Sequence, residues 1–291
     1  MIQFTDPLPA RSFLSPAFRT GDLLLQYLSA LMRPLLWLLM ALVVSACALK
    51  TPETSAPRPE TIHSEDLRLA QATAKAGDYA TAAHLFEKVL AKQPESVPAL
   101  IGAGDVYGRM GQNSRAESVL SRAHELAPNN VEALTILGRV KLAQGQYPAA
   151  LDTYNKGLRI DRRNIPALTG KGVTLDAMSR HADAQAVYRE GLSAYPTNFI
   201  LRSNYALSLA ISGDMAQGTA ILRELVRDPN AAPHVRGNLA LVYGLAGRDN
   251  DARATLASDL SDAQIEDNLT IYRALRRMML EDKPIGALVF V

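Results

Sequence analysis

Five histidines, one cysteine and one glycine cluster are the residues whose types could support chemistry. A metal site on a helix needs paired ligands, as in HExxH, and a phosphate-binding glycine loop needs a strand directly before it. The cluster Gly102-Ala103-Gly104 with Gly108 lies instead inside an apolar helical stretch, and no GxSxG motif or P-loop occurs. The histidines, which show no such pairing, are His63, His84, His124, His181 and His234. The sequence therefore predicts no enzyme, no metal, no cofactor and no small-molecule substrate.

The single cysteine, Cys47, lies near the end of the apolar run LLWLLMALVVSACAL at residues 35–49, which Arg33 precedes. This run is shorter than the roughly 20 residues that span a bilayer and fits the core of a secretory signal, predicted at residues 1–46. The alternative is an uncleaved membrane anchor. Signal peptides usually begin with a short charged segment, so we expect translation to start at Met32. The alternative is that residues 1–31 form an unusually long leading segment of the signal.

The residues around the cysteine carry a resemblance. Val44-Ser45-Ala46-Cys47 is similar to the lipobox of bacterial lipoproteins. The resemblance implies that Cys47 becomes the lipidated first residue of the mature chain. Residues 50–59, KTPETSAPRP, contain three prolines and no apolar period, so residues 47–62 are predicted to form the lipidated N-terminus and a disordered tether.

A period of 34 residues governs the chain from His63 onward. Stepping by 34 from Gly145 reaches Gly77, Gly111, Ser179, Gly213 and Gly247, and the six copies begin at His63, Val97, Val131, Ile165, Phe199 and Pro233. Each copy has two apolar-periodic halves, typical of two helices. The pattern resembles the tetratricopeptide repeat. This resemblance implies an all-α protein in which residues 63–266 form a right-handed α-solenoid of about six repeats.

Three positions of each copy define the predicted packing. The eighth position is small, as in Gly104, Gly138 and Gly172, and we expect the second helix of the same repeat to approach it closely, because glycine in a helix costs about 1 kcal/mol. The twentieth position is predicted to supply the other side of this contact, with Ala82, Ala116, Ala150, Ala184, Gly218 and Ala252. The twenty-fourth position is large and is predicted to fill the seam towards the next repeat, with Phe86, Leu120, Tyr154, Tyr188, Leu222 and Leu256.

A further amphipathic helix is predicted at residues 261–280. Ser261 and Gln264 have the spacing of a capping box, and the apolar residues at its steps of three and four are Ile265, Leu269, Tyr272, Leu275 and Met279. Solenoids need such a helix to cover their last open face. For the tail, residues 281–291, local packing and a short docking segment remain open.

In tetratricopeptide arrays the first helices line a concave groove, and the resemblance assigns to this groove Leu67, Ile101, Asp105, Arg109, Thr135, Arg139, Val173, Asp176, Leu207, Ile211, Leu241 and Leu245. The lysine and asparagine set with which chaperone-binding members hold a terminal carboxylate is absent. An amphipathic segment of a partner protein fits such a surface, and we expect Leu207, Ile211, Leu241 and Leu245 to anchor it. The same residues also suit contacts between repeats or cover by the C-terminal helix. With a net charge of +2, nucleic acid is not an expected partner.

Lipobox, tether and repeats together resemble the assembly lipoproteins of bacterial pilus and secretion systems, in particular the Flp/Tad pilus family. The last repeat adds the stretch NLALVYGLAGR at residues 238–248. The resemblance implies a lipid-anchored protein on the periplasmic face of the outer membrane, to which Ala48 after the cysteine conforms, with the secretin or other pilus-assembly components as partners. The alternative is a periplasmic adaptor lipoprotein that scaffolds cell-wall hydrolases or another envelope complex.

Overall fold

The structure is a computed structural model that describes residues 59–228 and 233–290, with side chains from residue 65 onward. These ranges contain fourteen helices and no strand. The predicted signal, Met32, Cys47 and the tether as far as residue 58 lie outside the described residues, as does the side chain of His63. Among the helices that are described, none has both the length and the apolar character to cross a membrane.

Twelve helices form six antiparallel pairs with the predicted 34-residue period. The first helices of the pairs are α1 (Pro59–Lys75), α3 (Val97–Arg109), α5 (Val131–Ala143), α7 (Ile165–Ala177), α9 (Phe199–Ile211) and α11 (Pro233–Leu245). The second helices are α2 (Tyr79–Lys92), α4 (Asn113–Leu126), α6 (Tyr147–Ile160), α8 (His181–Ala194), α10 (Met215–Val226) and α12 (Asp249–Leu256). Each pair packs on the next, which makes a right-handed α-solenoid. Two further helices, α13 (Asp262–Leu280) and α14 (Gly286–Phe290), follow the array.

Helix α1 begins at Pro59, four residues before the predicted first repeat at His63. The last four residues assigned to the tether, 59–62, are therefore helical. Proline suits the first turn of a helix, because its missing N–H would have no partner there and its φ is already helical. Pro59, which was predicted to belong to the extended tether, is thus the first residue of α1.

Local signals set the helix ends in every repeat. The side chains of Asn130, Asn164 and Asn198 each accept a hydrogen bond from the backbone N–H three residues on, which caps α5, α7 and α9. The turn inside the repeat requires a left-handed residue, with φ of +73° at Gly145 and +59° at Ser179. Second helices end two residues before Pro94, Pro128 and Pro196, as expected. Pro229, in the corresponding region of repeat five, lies outside the described residues.

The large residue at position 24 holds each repeat to the next. Tyr154 is 2% exposed and lies between Gly138 of its own repeat and Gly170 of the following one. A methyl group on Gly138 would come within 2.8 Å of the ring atom Cε1, and one on Gly170 would overlap the ring. Phe86 likewise lies against Gly102 of the following repeat. Leu120 and Tyr188 lie against Gly104 and Gly172 of their own repeats. The glycines therefore provide the space that the large side chains fill.

This geometry corrects one detail of the predicted contact. In repeats two to four, the side chain that faces the glycine at position eight is the large residue at position 24, because its ring or branched end reaches across the helix pair. In repeat five the glycine stands at position 20, and Gly218 lies against the backbone carbonyl of Ala206 at position eight, which is the predicted contact between these two positions. The alanines at position 20 are Ala82, Ala116, Ala150, Ala184 and Ala252, and all are completely buried.

Helix α13 covers the end of the array, as the sequence predicts. It packs against α11 and α12 and buries Ile265, Leu269, Tyr272 and Leu275 in the same apolar cluster as Leu239 and Tyr243. The capping box is present, since the backbone N–H of Ser261 donates to Oε1 of Gln264 at 3.0 Å and the N–H of Gln264 donates to Oγ of Ser261. The chain then turns back, and α14 packs against α7.

A buried carboxylate joins repeats four and five. Asp176 is completely buried and is hydrogen-bonded to Nδ1 of His181 at 2.8 Å, to Oγ of Ser208 at 2.6 Å and to the hydroxyl of Tyr188 at 3.1 Å. Burial raises the pKa of the Asp176 carboxyl, and the bonds from His181, Ser208 and Tyr188 act against this rise. Because its partners come from α8 and α9, Asp176 fixes these helices to α7.

Ala150→Leu should destabilise the protein. The added atoms would overpack a completely buried contact, which costs about 1 to 3 kcal/mol. Lys156→Ala, on the exposed face of the same helix, removes only an ion pair with Asp152 and is the control. Thermal melting followed by circular dichroism measures both. Equal melting temperatures would show that the register is wrong.

Asp176→Ala should lower the free energy of unfolding by about 3 kcal/mol, because it leaves two buried hydroxyls, of Tyr188 and Ser208, and the half-buried imidazole of His181 without their acceptor. Asp152→Ala removes an exposed carboxylate that pairs with Lys156 at 2.9 Å and should cost about 0.3 to 0.5 kcal/mol. Urea denaturation compares the two variants. A shift for Asp176→Ala as small as the shift for Asp152→Ala would contradict the role of the buried carboxylate.

Candidate functional site

The concave side of the first three repeats is an open groove. Helices α1, α3 and α5 and the start of α7 enclose a cavity of about 740 Å³. Its floor is apolar, with the buried Ile101 and the half-buried Ile136, and its walls are polar, with Gln71, Lys75 and Thr135 among them. We call this cavity the open half of the groove. Its size and mixed lining suit several side chains of a bound protein segment.

A charged cluster lies on one wall of the open half. Asp105 accepts a hydrogen bond from Nε of Arg109 at 2.8 Å and a second from Nη2 of Arg139, which occupies the equivalent position in the next repeat. The guanidinium of Arg109 also lies over the ring of Tyr79, 5.6 Å from its centroid. The bond to Asp105 raises the pKa of Arg109, so this side chain remains a cation at any physiological pH.

Lys75 adds a second exposed cation to the cavity. It stands in the last turn of α1, and no carboxylate in the described part of the chain forms an ion pair with it. The acidic side chains that line the cavity are Asp105, which two arginines already contact, and Glu132. A ligand that offers a carboxylate to Lys75 and Arg109, and apolar side chains to Ile101 and Ile136, would complement the open half.

Most of the groove residues predicted for repeats one to three are accessible to solvent or line the cavity. Asp105, Thr135 and Arg139 are half-buried, and Arg109 is exposed. Ile101 is only 5% exposed but still lines the cavity floor. Leu67 is half-buried and packs against the core of repeat one. Four further residues that line the cavity were not predicted from the sequence: Tyr79, Ile136, Asn130 and Asn164. Asn130 and Asn164 cap successive first helices and are 34 residues apart, so the period could have placed them at the edge of the cavity.

The expected anchors in repeats five and six are covered in this structure, as the alternative of core packing or cover by C-terminal residues implies. Leu207, Ile211 and Leu245 are 2%, 8% and 4% exposed, and Leu241 packs half-buried against the same cluster. These residues belong to one apolar cluster with residues of α13, and Ile285, Val289 and Phe290 of the C-terminal tail pack in it as well. Val173 is half-buried beside Ala287 in a neighbouring cluster. Position 12 of repeat four, Asp176, is completely buried.

One contact joins a histidine to a buried carboxylate. Sequence reasoning missed the contact between His181 and Asp176, whose side chains meet across the turn between α7 and α8. Ser208 donates to Asp176 and not to the imidazole, so the three residues do not form a nucleophile and its base. In the described ranges, no group of three or more histidine, cysteine, aspartate or glutamate side chains is placed to hold a metal. The arrangement is suited to bind a protein segment.

Comparison with known proteins identifies the repeat. The family model described as tetratricopeptide repeat matches residues 74–123 and 109–171. A search of curated proteins found no match.

Solved structures extend the likeness to most of the array. A tetratricopeptide repeat protein from Parabacteroides merdae is 14% identical, with a TM-score of 0.65 over 75% of this chain and 87% of the other. The type IV pilus biogenesis factor PilW is 16% identical, with a TM-score of 0.61 over 72% and 97%. A thermophilic TPR protein from Thermus thermophilus is 19% identical, with a TM-score of 0.56 over 62% and 98%. At these identities the likeness is one of fold. The chain therefore has the fold of an all-α solenoid, and its residues 74–171 match the tetratricopeptide repeat.

Proposed function

We propose that this protein is a lipid-anchored scaffold of the cell envelope that binds a partner in pilus or secretion-system assembly. The observation that carries the proposal is the open half of the groove, a cavity with an apolar floor and two exposed cations in a fold whose repeats bind proteins. The chain resembles the Flp/Tad pilus assembly protein TadD in its lipobox, tether and repeats. PilW, whose fold is similar, is itself described as a type IV pilus biogenesis factor.

The lining defines the chemistry of the partner segment. Lys75 and Arg109 favour a carboxylate, and Ile101 and Ile136 favour apolar side chains next to it. An amphipathic segment with at least one acidic residue meets both requirements, whether it binds as a helix or as an extended strand. We assign this segment to the secretin, or to a component that assembles with it, so that the scaffold assists assembly or localisation of the channel.

The anchor sets where the scaffold works. Lipidation of Cys47 would hold the repeats at the periplasmic face of the outer membrane, and the prolines that follow would keep them off the bilayer. A single acyl chain binds a membrane only reversibly, whereas several chains on one residue give stable anchoring. A scaffold held in this way meets the parts of a channel as they reach the same membrane.

Removal of the two exposed cations should weaken partner capture. We expect Lys75→Ala with Arg109→Ala to reduce recovery of the secretin from solubilised membranes about tenfold, since two charge-assisted contacts contribute about 1.4 kcal/mol or more. The matched control is Arg189→Ala with Arg223→Ala, which removes two exposed cations from second helices. Quantitative mass spectrometry of affinity-purified full-length protein measures the recovery. Unchanged recovery, or capture of cell-wall hydrolases in place of the secretin, would contradict the proposal.

Cys47→Ser should abolish lipidation and move the protein out of the outer membrane. Incorporation of radiolabelled palmitate and fractionation of the two membranes measure both effects. Ser45→Ala, two residues away, leaves the cysteine in place and is the control. Palmitate incorporation that persists in Cys47→Ser would show that Cys47 is not the lipidated residue.

A further inference from the structure

We propose that residues 284–290 are an intramolecular ligand of the groove, which closes its apolar half and leaves when a partner segment of similar chemistry binds there. The apolar half consists of the residues of α7, α9 and α11 in the two clusters against which the tail packs, among them Val173, Ala177, Leu207 and Ile211. This inference does not depend on which protein occupies the open half.

A defined turn sends the tail back to the groove. After α13, Asp282 adopts a left-handed conformation with φ of +53°, and the N–H of Lys283 donates to the carbonyl of Met278 at 2.9 Å. This is the hydrogen-bonding pattern with which helices commonly end, and Pro284 then prevents the helix from continuing. The reversal brings α14 onto α7, two repeats away from the end of the array.

Glycine at position 286 makes the close contact possible. Its Cα lies so near the last turn of α7 that an added methyl group would overlap the carbonyl oxygen of Asp176 and lie 3.5 Å from Cα of Ala177. On either side of the glycine, Ile285 is 4% exposed, and Ala287 packs in the cluster that contains Val173 and Ala177. The groove therefore accepts a small residue at this point and apolar residues next to it.

The tail contacts the groove through apolar side chains, while its backbone hydrogen bonds stay within the tail. Helix α14 has five residues, and the hydrogen bonds of residues 285–290 remain inside the segment, from the N–H groups of Leu288 and Val289 to the carbonyl of Ile285. No ion pair in the described part of the chain joins the tail to the concave helices, since Lys283 pairs locally with Glu281. Leu288 is 61% exposed. Among the described residues apolar contact holds the segment to the groove, so another segment with the same side chains can replace it.

These contacts specify the replacing partner. It is a protein segment with a glycine opposite Asp176, a branched aliphatic residue before it, and a small residue followed by Val and Phe types after it. Because a short turn tethers the tail, its effective concentration at the site is of millimolar order, and a free segment binds the intact chain correspondingly more weakly.

A peptide of residues 281–290 tests the proposal. We expect fluorescence anisotropy to give a dissociation constant for the truncated chain, which lacks residues 284–291, about tenfold or more below that for the intact chain. The peptide with Gly286→Leu should lose this binding, whereas the peptide with Leu288→Ala should retain it, since Leu288 faces solvent. Equal binding to both chains, or no binding to a truncated chain that remains helical, would overturn the proposal.

A second variant decides the matter if the truncated chain does not fold. The full chain with Gly286→Ala keeps every residue of the cap but cannot seat the tail. We expect hydrogen exchange at residues 285–290 to be at least about tenfold faster in Gly286→Ala than in Leu288→Ala, with unchanged exchange in α3 and α5. Equal exchange in the two variants would show that Gly286 does not seat the tail and would overturn the proposal.

Discussion

The contact between a small residue at position eight and a large residue at position 24 is the constraint on which the array depends. Tyr154, which lies between Gly138 and Gly170, serves the pair of helices that contains it and the next pair as well. A side chain at either glycine would separate the helices or displace the ring. Because the same contact recurs in repeats two to four, these helix pairs stack in the same way, and their first helices come to line one face.

The groove that results is divided by chemistry. In repeats two and three, position nine carries Asp105 and Arg139, which pair across the repeat boundary. In repeats four and five the same position carries Val173 and Leu207, which pack in two neighbouring apolar clusters, Leu207 together with Ile211. Water solvates the charged side chains well. Removal of the apolar side chains from water by another segment is favourable. In this chain the cover is the C-terminal tail, so a partner meets the open half first.

Local and periodic features were predictable from the sequence, and features of the folded-back chain were not. The period placed five of the six first helices to the residue, and the spacing of Ser261 and Gln264 located α13. The tail has no period, and nothing in GALVF states that Gly286 will lie against Asp176. For that reason Leu207 and Ile211 looked like exposed anchors. The bond between His181 and Asp176 also escaped prediction, because the two residues meet across a turn and not on one helix face.

The most direct test of the account is a photo-crosslinking experiment on the groove in intact cells. A crosslinking amino acid at Thr135, in the wall of the open half, should join the protein to the secretin or to a pilus-assembly component. The same amino acid at Arg189, on an exposed second helix, should not. Crosslinks of equal yield from both positions, or from Arg189 alone, would contradict the assignment of the concave open half as the partner site.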